Sequence, residues 1–242
     1  MEKDGTSMGN YSISQRIERL PMTSLQRKIG VVIVMAWFFD SLDNGAMTFL
    51  LPSLMKEFRL TTVQAGLMGS MSFVGMFLGA ISSGYFSDKV GRKSILQWSM
   101  VCWGLAGFLV ACSPNATILF IARILLGFGL GAEIPVAAAM LPELLPKDSR
   151  GRYVAVMEGL LPVGIISAGA IAYFVLPLVG WRWVFAIEAL PAFWLLIIRR
   201  NLPESPRWLE SVGRLQEADQ VMTAMEQEVQ RQTGKPLPHS RC

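Results

Sequence analysis

One histidine, His239, and three cysteines, Cys102, Cys112 and Cys242, are all that the 242 residues offer toward metal or thiol chemistry. The cysteines are scattered, with neither the spacing of a zinc site nor the density of a disulfide framework. A metal centre is excluded on those grounds. No G-x-x-x-x-G-K-[ST] phosphate loop occurs, so the chain shows no nucleotide-driven motor of its own. No nucleophile and base come together in the pattern of an active site, so neither an enzyme nor a cofactor is expected. Charge is scarce as well. Charged residues make up 17% of the chain, where soluble domains carry about a quarter.

What is abundant is apolar sequence, 52% of residues with a mean hydropathy of +0.42, and it comes in blocks. Runs of 18 or more apolar residues with few charges read as transmembrane helices. Six are visible, at 29–51, 65–86, 94–112, 117–141, 154–176 and 181–198. In hydrocarbon every backbone group needs an internal partner, so these spans are helices and the class is all-α, polytopic and membrane-embedded. Three segments follow: a polar arm at 1–28, a six-helix bundle at 29–200 and a polar linker segment at 201–242. The arm holds no apolar run near its start of the kind a cleavable signal sequence carries.

Basic residues set the expected orientation. With the amino terminus in the cytoplasm, Lys3, Arg16, Arg19, Arg27, Lys28, Lys89, Arg92, Lys93, Lys147, Arg150, Arg152, Arg199 and Arg200 all lie inside. Only Lys56, Arg59 and Arg182 fall outside. The asymmetry places both termini in the cytoplasm of a cell, most simply at a bacterial inner membrane. It also accounts for the pI of about 9.1 without a nucleic-acid partner.

Residues 84–93, Gly-Tyr-Phe-Ser-Asp-Lys-Val-Gly-Arg-Lys, read as a short charged loop between the second and third spans, a hinge with an ionic latch. Gly127, Gly129 and Gly131 alternate in the fourth span, where small residues let helices approach closely. After 198 the sequence turns polar, and apolar residues at Leu209, Val212, Leu215, Ala218, Met222, Met225 and Val229 trace an amphipathic helix.

Charges within the spans carry the strongest functional signal. Asp40, Asp43, Arg123, Glu133, Glu158 and Glu188 would together cost on the order of 15 kcal/mol if ionised and unpaired in lipid. They must face one another or a watery cavity. Asp43 lies about 12 Å below the outer end of its span and Arg123 about 9 Å below the end of its own. Equal depth predicts an Asp43–Arg123 pair, with Asp40 one turn deeper. A carboxylate that leaves an arginine takes up a proton more readily, which is how a proton carrier is built. Glu133 and Glu158 sit nearer the inner side, close to Pro135 and Pro162, where a proline removes a helix hydrogen bond and a local break is expected. Trp37, Phe38 and Phe39 beside Asp40 either stack on a ring-shaped solute or pack the core.

At these residues the chain resembles the major facilitator superfamily. Gly84, Asp88, Gly91, Arg92 and Lys93 match its G-x-x-x-D-x-x-G-R-K signature. Arg123, Gly127, Gly129 and Gly131 resemble its R-x-x-x-G-x-G-x-G helix. Glu143, Pro146, Arg150 and Gly151 resemble the E-x-x-P-x-x-x-R-G of sugar-porter-like members, and 203–209, Pro-Glu-Ser-Pro-Arg-Trp-Leu, the segment closing their first half. Asp40-Ser41-Leu42-Asp43 is similar to the D-G-x-D of aromatic-acid and niacin-type proton symporters, with serine in place of the glycine. The resemblance implies uptake of a small organic molecule, such as an organic or aromatic acid, coupled to protons by alternating access. It implies a gate at the inner face in which Asp88, Arg92, Glu143, Arg150, Glu204 and Arg207 form an ion-pair network. Members of the family carry twelve helices in two halves. Six spans are therefore expected to be the amino-terminal half, with a further six-helix half as partner. A half-size homodimeric carrier and a non-transporting membrane sensor are the alternatives.

Overall fold

A computed structural model describes residues 12–200, 202–234 and 236–237. His239 and Cys242 lie outside the described residues, as does 1–11 of the arm. Among the described residues nine helices run in order: α1 Ile13–Glu18, α2 Ser24–Phe58, α3 Thr62–Val90, α4 Arg92–Ala111, α5 Ala116–Leu144, α6 Lys147–Val179, α7 Trp181–Arg200, α8 Pro206–Ser211 and α9 Leu215–Thr233. Among the described residues, five of them, α2 to α6, are long and apolar enough to cross a membrane. α7 completes the bundle by packing along α4, α2 and α6.

The boundaries follow from local chemistry. Thr61 caps α3 through a reciprocal bond with Gln64, and Asn115 accepts the Ile118 amide to open α5. Gly91 ends α3 at φ +108° and Gly180 ends α6 at φ +86°, conformations that glycine adopts without a Cβ penalty. α2 starts at Ser24, five residues ahead of the hydrophobic span, because the Thr23–Gln26 box lies in the polar arm.

Two expectations are corrected here. Residues 84–93 are not a loop: α3 continues to Val90, α4 begins at Arg92, and Gly91 alone separates them. With its amides still paired within the helix, the polar stretch 84–90 extends past the apolar run instead of unwinding. The prolines do not break their helices either. α5, α6 and α7 run through Pro135, Pro162 and Pro191, each forfeiting one amide donor while the neighbouring turns stay helical.

Glycine sets the packing distances. A Cβ on Gly127 would collide with the backbone of Ser72 on α3, and one on Gly131 with the backbone of Met76. Gly75 and Gly79 of α3 meet the α5 backbone at Ile124 and Phe128 in return. Gly129, turned to the other side of α5, meets Trp103 and Ser99 of α4. α5 is thus clamped between α3 and α4 with its main chain against theirs.

Apolar burial divides between two clusters. One fills the bundle, from Leu42, Leu50 and Leu54 of α2 to Trp103, Leu126, Leu130 and Phe185. The other lies at the end that carries α1, α8 and α9. There Ile13, Ile17 and Leu20 meet Leu141, Leu144, Trp208, Leu209, Met222, Met225 and Val229. The amphipathic stretch expected as one helix forms two, α8 and α9, with a turn at Val212: Leu209, Ala218, Met222, Met225 and Val229 are buried, whereas Val212 and Leu215 are exposed.

Candidate functional site

In the bundle interior, α2 and α5 bring Asp43 and Arg123 together. Arg123 Nη1 donates to both Asp43 carboxylate oxygens, at 3.1 and 3.2 Å. Neither residue exceeds 2% exposure. The guanidinium also stands 5.7 Å from the centre of the Phe185 ring on α7. A charge pair this deeply buried needs every attraction available to offset its desolvation.

Glu188 of α7 joins them. It is buried, and its carboxylate lies within electrostatic reach of Asp43 and Arg123. Neither of its oxygens has a hydrogen-bond partner among the described residues. Sequence reading flagged Glu188 as an acid in a span but offered it no partner, since nothing in one sequence says that α7 folds against α2.

Asp40 stands one turn from Asp43 on a different exposure. It is half-buried, its carboxylate Oδ1 receives the Asn44 side-chain amide at 3.5 Å, and the same amide donates to the Asp40 carbonyl at 2.9 Å. Asp43 and Glu133, the latter buried on α5, act on it electrostatically. Phe39 packs edgewise on Phe38 and tilts against Trp103 of α4, so it belongs to the core. Glu158 is not part of this cluster: it is exposed on α6.

A second assembly lies at the α8–α9 end. Arg92 pairs with Asp88 at 3.3 Å and with Glu143 at 3.6 Å, and it donates to the Ser87 hydroxyl at 3.1 Å. Glu204 takes another role. Its carboxylate accepts from the Lys93 amide at 3.0 Å and the Ser205 amide at 3.0 Å, so it caps the start of α4. Trp208 Nε1 donates to the Asp88 carbonyl at 3.0 Å, and Arg150 Nε to the Leu145 carbonyl at 2.9 Å. Arg207 Nε has no hydrogen-bond partner among the described residues. The six residues expected to form one ion-pair network therefore divide. Asp88, Arg92 and Glu143 are ion-paired, while Glu204 and Arg150 hold backbone groups at helix ends. Gly91 fits beneath Glu204, whose carboxylate occupies the space a Cβ would need. Gly84 meets nothing within 4 Å.

The arm is fastened to the same end. Arg16 donates to both Glu226 oxygens, at 3.0 and 2.8 Å, and to Thr223 at 3.1 Å, and it pairs with Asp219. Arg19 reaches Glu226 at 2.6 Å. Burial by itself would raise the Glu226 carboxyl, but the Arg16 and Arg19 hydrogen bonds overcome it and hold the group below its ordinary range. At the opposite end Glu57 of α2 accepts from Trp181 Nε1 and from Arg182 at 2.7 Å, and Arg182 reaches the Ser113 carbonyl at 3.2 Å. These two clasps had no sequence signal beyond isolated charges near helix ends.

A bundle of long apolar helices with ionisable side chains buried inside and ion pairs at both ends is the build of a membrane carrier. The Major Facilitator Superfamily model matches residues 33–232. The Niacin transporter NiaP of Acinetobacter baylyi is 35% identical over 222 residues, 92% of this chain and 50% of that protein. The Organic cation/carnitine transporter 7 of Arabidopsis thaliana is 38% identical over 184 residues, 76% of this chain and 37% of that protein. The xylose transporter XylE from E. coli, in a partially occluded inward open conformation, shares the fold. Its TM-score is 0.76 at 22% identity, covering 88% of this chain and 57% of that one. The chain belongs to the Major Facilitator Superfamily and is an integral membrane protein. It spans about half the length of the curated relatives it matches.

Proposed function

We propose that the chain supplies the amino-terminal half of a secondary transporter that moves a small organic solute, such as an organic or aromatic acid, by proton-coupled symport. The buried Asp43–Arg123 pair with Glu188 beside it carries this reading. One arginine faces two carboxylates, so a proton taken by either acid leaves the guanidinium paired with the other. Asp40 and Glu133 extend the acidic lining toward the solute. Glu158, exposed on a helix that crosses lipid, belongs on a face covered by water or by a second six-helix half. The Asp88–Arg92–Glu143 pairs serve as the latch of the inner gate. The Asp88–Arg92 pair, with Asp88 exposed, is worth about 0–1 kcal/mol, small enough to open in each cycle. The basic end that carries α8 and α9 faces the cytoplasm, and the membrane is a bacterial inner membrane. The named cargo of the relatives, niacin above all, guides the choice of solutes to test.

The experiment is uptake of labelled nicotinate and nicotinamide by proteoliposomes holding the protein, with and without an inward proton gradient. Accumulation that needs the gradient is expected. Uptake equal in the two conditions would refute proton coupling, and no uptake of any organic solute would refute transport.

A further inference from the structure

Trp181, Phe185 and Glu188 recur at helical spacing on one face of α7, and all three are buried. Trp181 is fixed from several sides. Its indole N–H donates to Glu57, Arg182 lies 4.3 Å from its ring centre, and Phe58 meets it edge-on at 5.9 Å. Phe185 in turn meets Trp181 edge-on, with ring centres 6.0 Å apart. Both rings belong to the packed core of the bundle, where close neighbours hold an aromatic side chain in one rotamer.

That fixed ring faces the Arg123 guanidinium, 5.7 Å from its centre. The hydrogen bonds of Arg123 leave the guanidinium under-determined. Both bonds to Asp43 come from Nη1, so they place one nitrogen and leave the plane free to turn about it. A fork of two nitrogens on two oxygens would set the plane, but Nε has no hydrogen-bond partner among the described residues. The ring quadrupole supplies the missing constraint. It attracts a cation within about 6 Å, and more strongly where water is excluded.

We propose that Phe185 is the positioning residue of the buried pair: its ring, seated by Trp181, holds the Arg123 guanidinium between Asp43 of α2 and the Glu188-bearing face of α7. Its part in coupled transport rests on the carrier reading above. The hold on Arg123 does not.

Fluorine on the ring tests this with little change of shape. Phenylalanine carrying one, two or three fluorines replaces Phe185 by amber suppression, and melting is followed in detergent. Each fluorine weakens the quadrupole, so the melting temperature should fall stepwise, by about 2–4 °C for the trifluoro ring. In an Asp43→Asn/Arg123→Leu background, where Arg123 no longer faces the ring, the series should be flat. The same series in place of Phe39, a ring packed on Phe38 and Trp103, should be flat as well, and it decides if that background does not fold. A flat series at Phe185, an equal fall in the background lacking Arg123, or an equal fall at Phe39 would each overturn the proposal. In proteoliposomes the trifluoro ring should lower gradient-driven accumulation about fivefold relative to exchange. An unchanged ratio in a protein that transports would overturn the positioning role. A chain that carries no solute yet melts in this graded way would refute the carrier reading and leave the hold of Phe185 on Arg123 standing.

Discussion

Arg123 meets Asp43 through a single nitrogen, Nη1, which lies 3.1 and 3.2 Å from the two carboxylate oxygens. Its Nε is buried with no hydrogen-bond partner among the described residues. The pair is therefore incomplete on the arginine side and has Glu188 within electrostatic reach.

That asymmetry separates two variants. Asp43→Asn keeps the shape but removes the acid, and should cost more than tenfold in gradient-driven accumulation while leaving solute exchange intact. Arg123→Leu leaves Asp43 and Glu188 buried without a cation, and breaking such a pair costs about 3–5 kcal/mol. It should lower thermal stability in detergent as well as abolish uptake. Gradient-driven accumulation by Asp43→Asn at the parent level would remove Asp43 from the coupling step.

The α3–α5 contact predicts a size limit. Gly127 and Gly131 touch the α3 backbone at Ser72 and Met76, where no side chain can swing aside. Gly127→Val or Gly131→Val should destabilise by at least the 1–3 kcal/mol typical of overpacking, because two main chains must part. Gly84→Ala, where a Cβ meets open space, should leave the melting temperature of this chain unchanged. Melting curves in detergent compare the three. Equal shifts for Gly127→Val and Gly84→Ala would contradict the packing.

Much of this was legible in the sequence, and the reasons differ by residue. Apolar runs marked the helices because lipid demands long uninterrupted ones, and equal depth alone suggested setting Asp43 beside Arg123. The stretch 84–93 misled because its charges look like a loop, whereas polar residues at a helix end can stay helical outside the hydrocarbon. Glu204 misled in a different way: the family resemblance implied an ion-pair network, but the free amides at the start of α4 hold its carboxylate instead. The Arg16–Glu226 and Glu57–Arg182 contacts join segments 210 and 125 residues apart. No local pattern encodes such distances.

Removal of the Glu204 carboxylate tests its capping role. Glu204→Gln keeps one acceptor oxygen but loses the charge at the start of α4, where a cap is worth about 1 kcal/mol. The expected result is faster proteolysis or hydrogen exchange at 91–95, with the bundle melting temperature nearly unchanged. Unaltered exchange at the Lys93 amide would mean that water replaces the carboxylate without loss.

The clasp between α1 and α9 has a pH signature. Glu226 is held below its ordinary value of 4.5 by Arg16 and Arg19, so its stabilising contribution is fully present above that value. It is lost as the pH falls from 4.5 through the lowered folded value, where the carboxyl takes up a proton and its charge no longer holds the two arginines. Hydrogen exchange across α1 should therefore be slow and flat from pH 5 to 8 once corrected for intrinsic rates, and should rise below about pH 4. Glu226→Gln should abolish that transition and raise exchange across α1 at every pH, with a loss of about 1.5–3 kcal/mol, the scale of a hydrogen bond to a charged group, while Arg16 keeps Asp219. Corrected exchange in α1 that is equally slow in Glu226→Gln and the parent would place the hold of the arm on Ile13, Ile17 and Leu20 instead of on the charges.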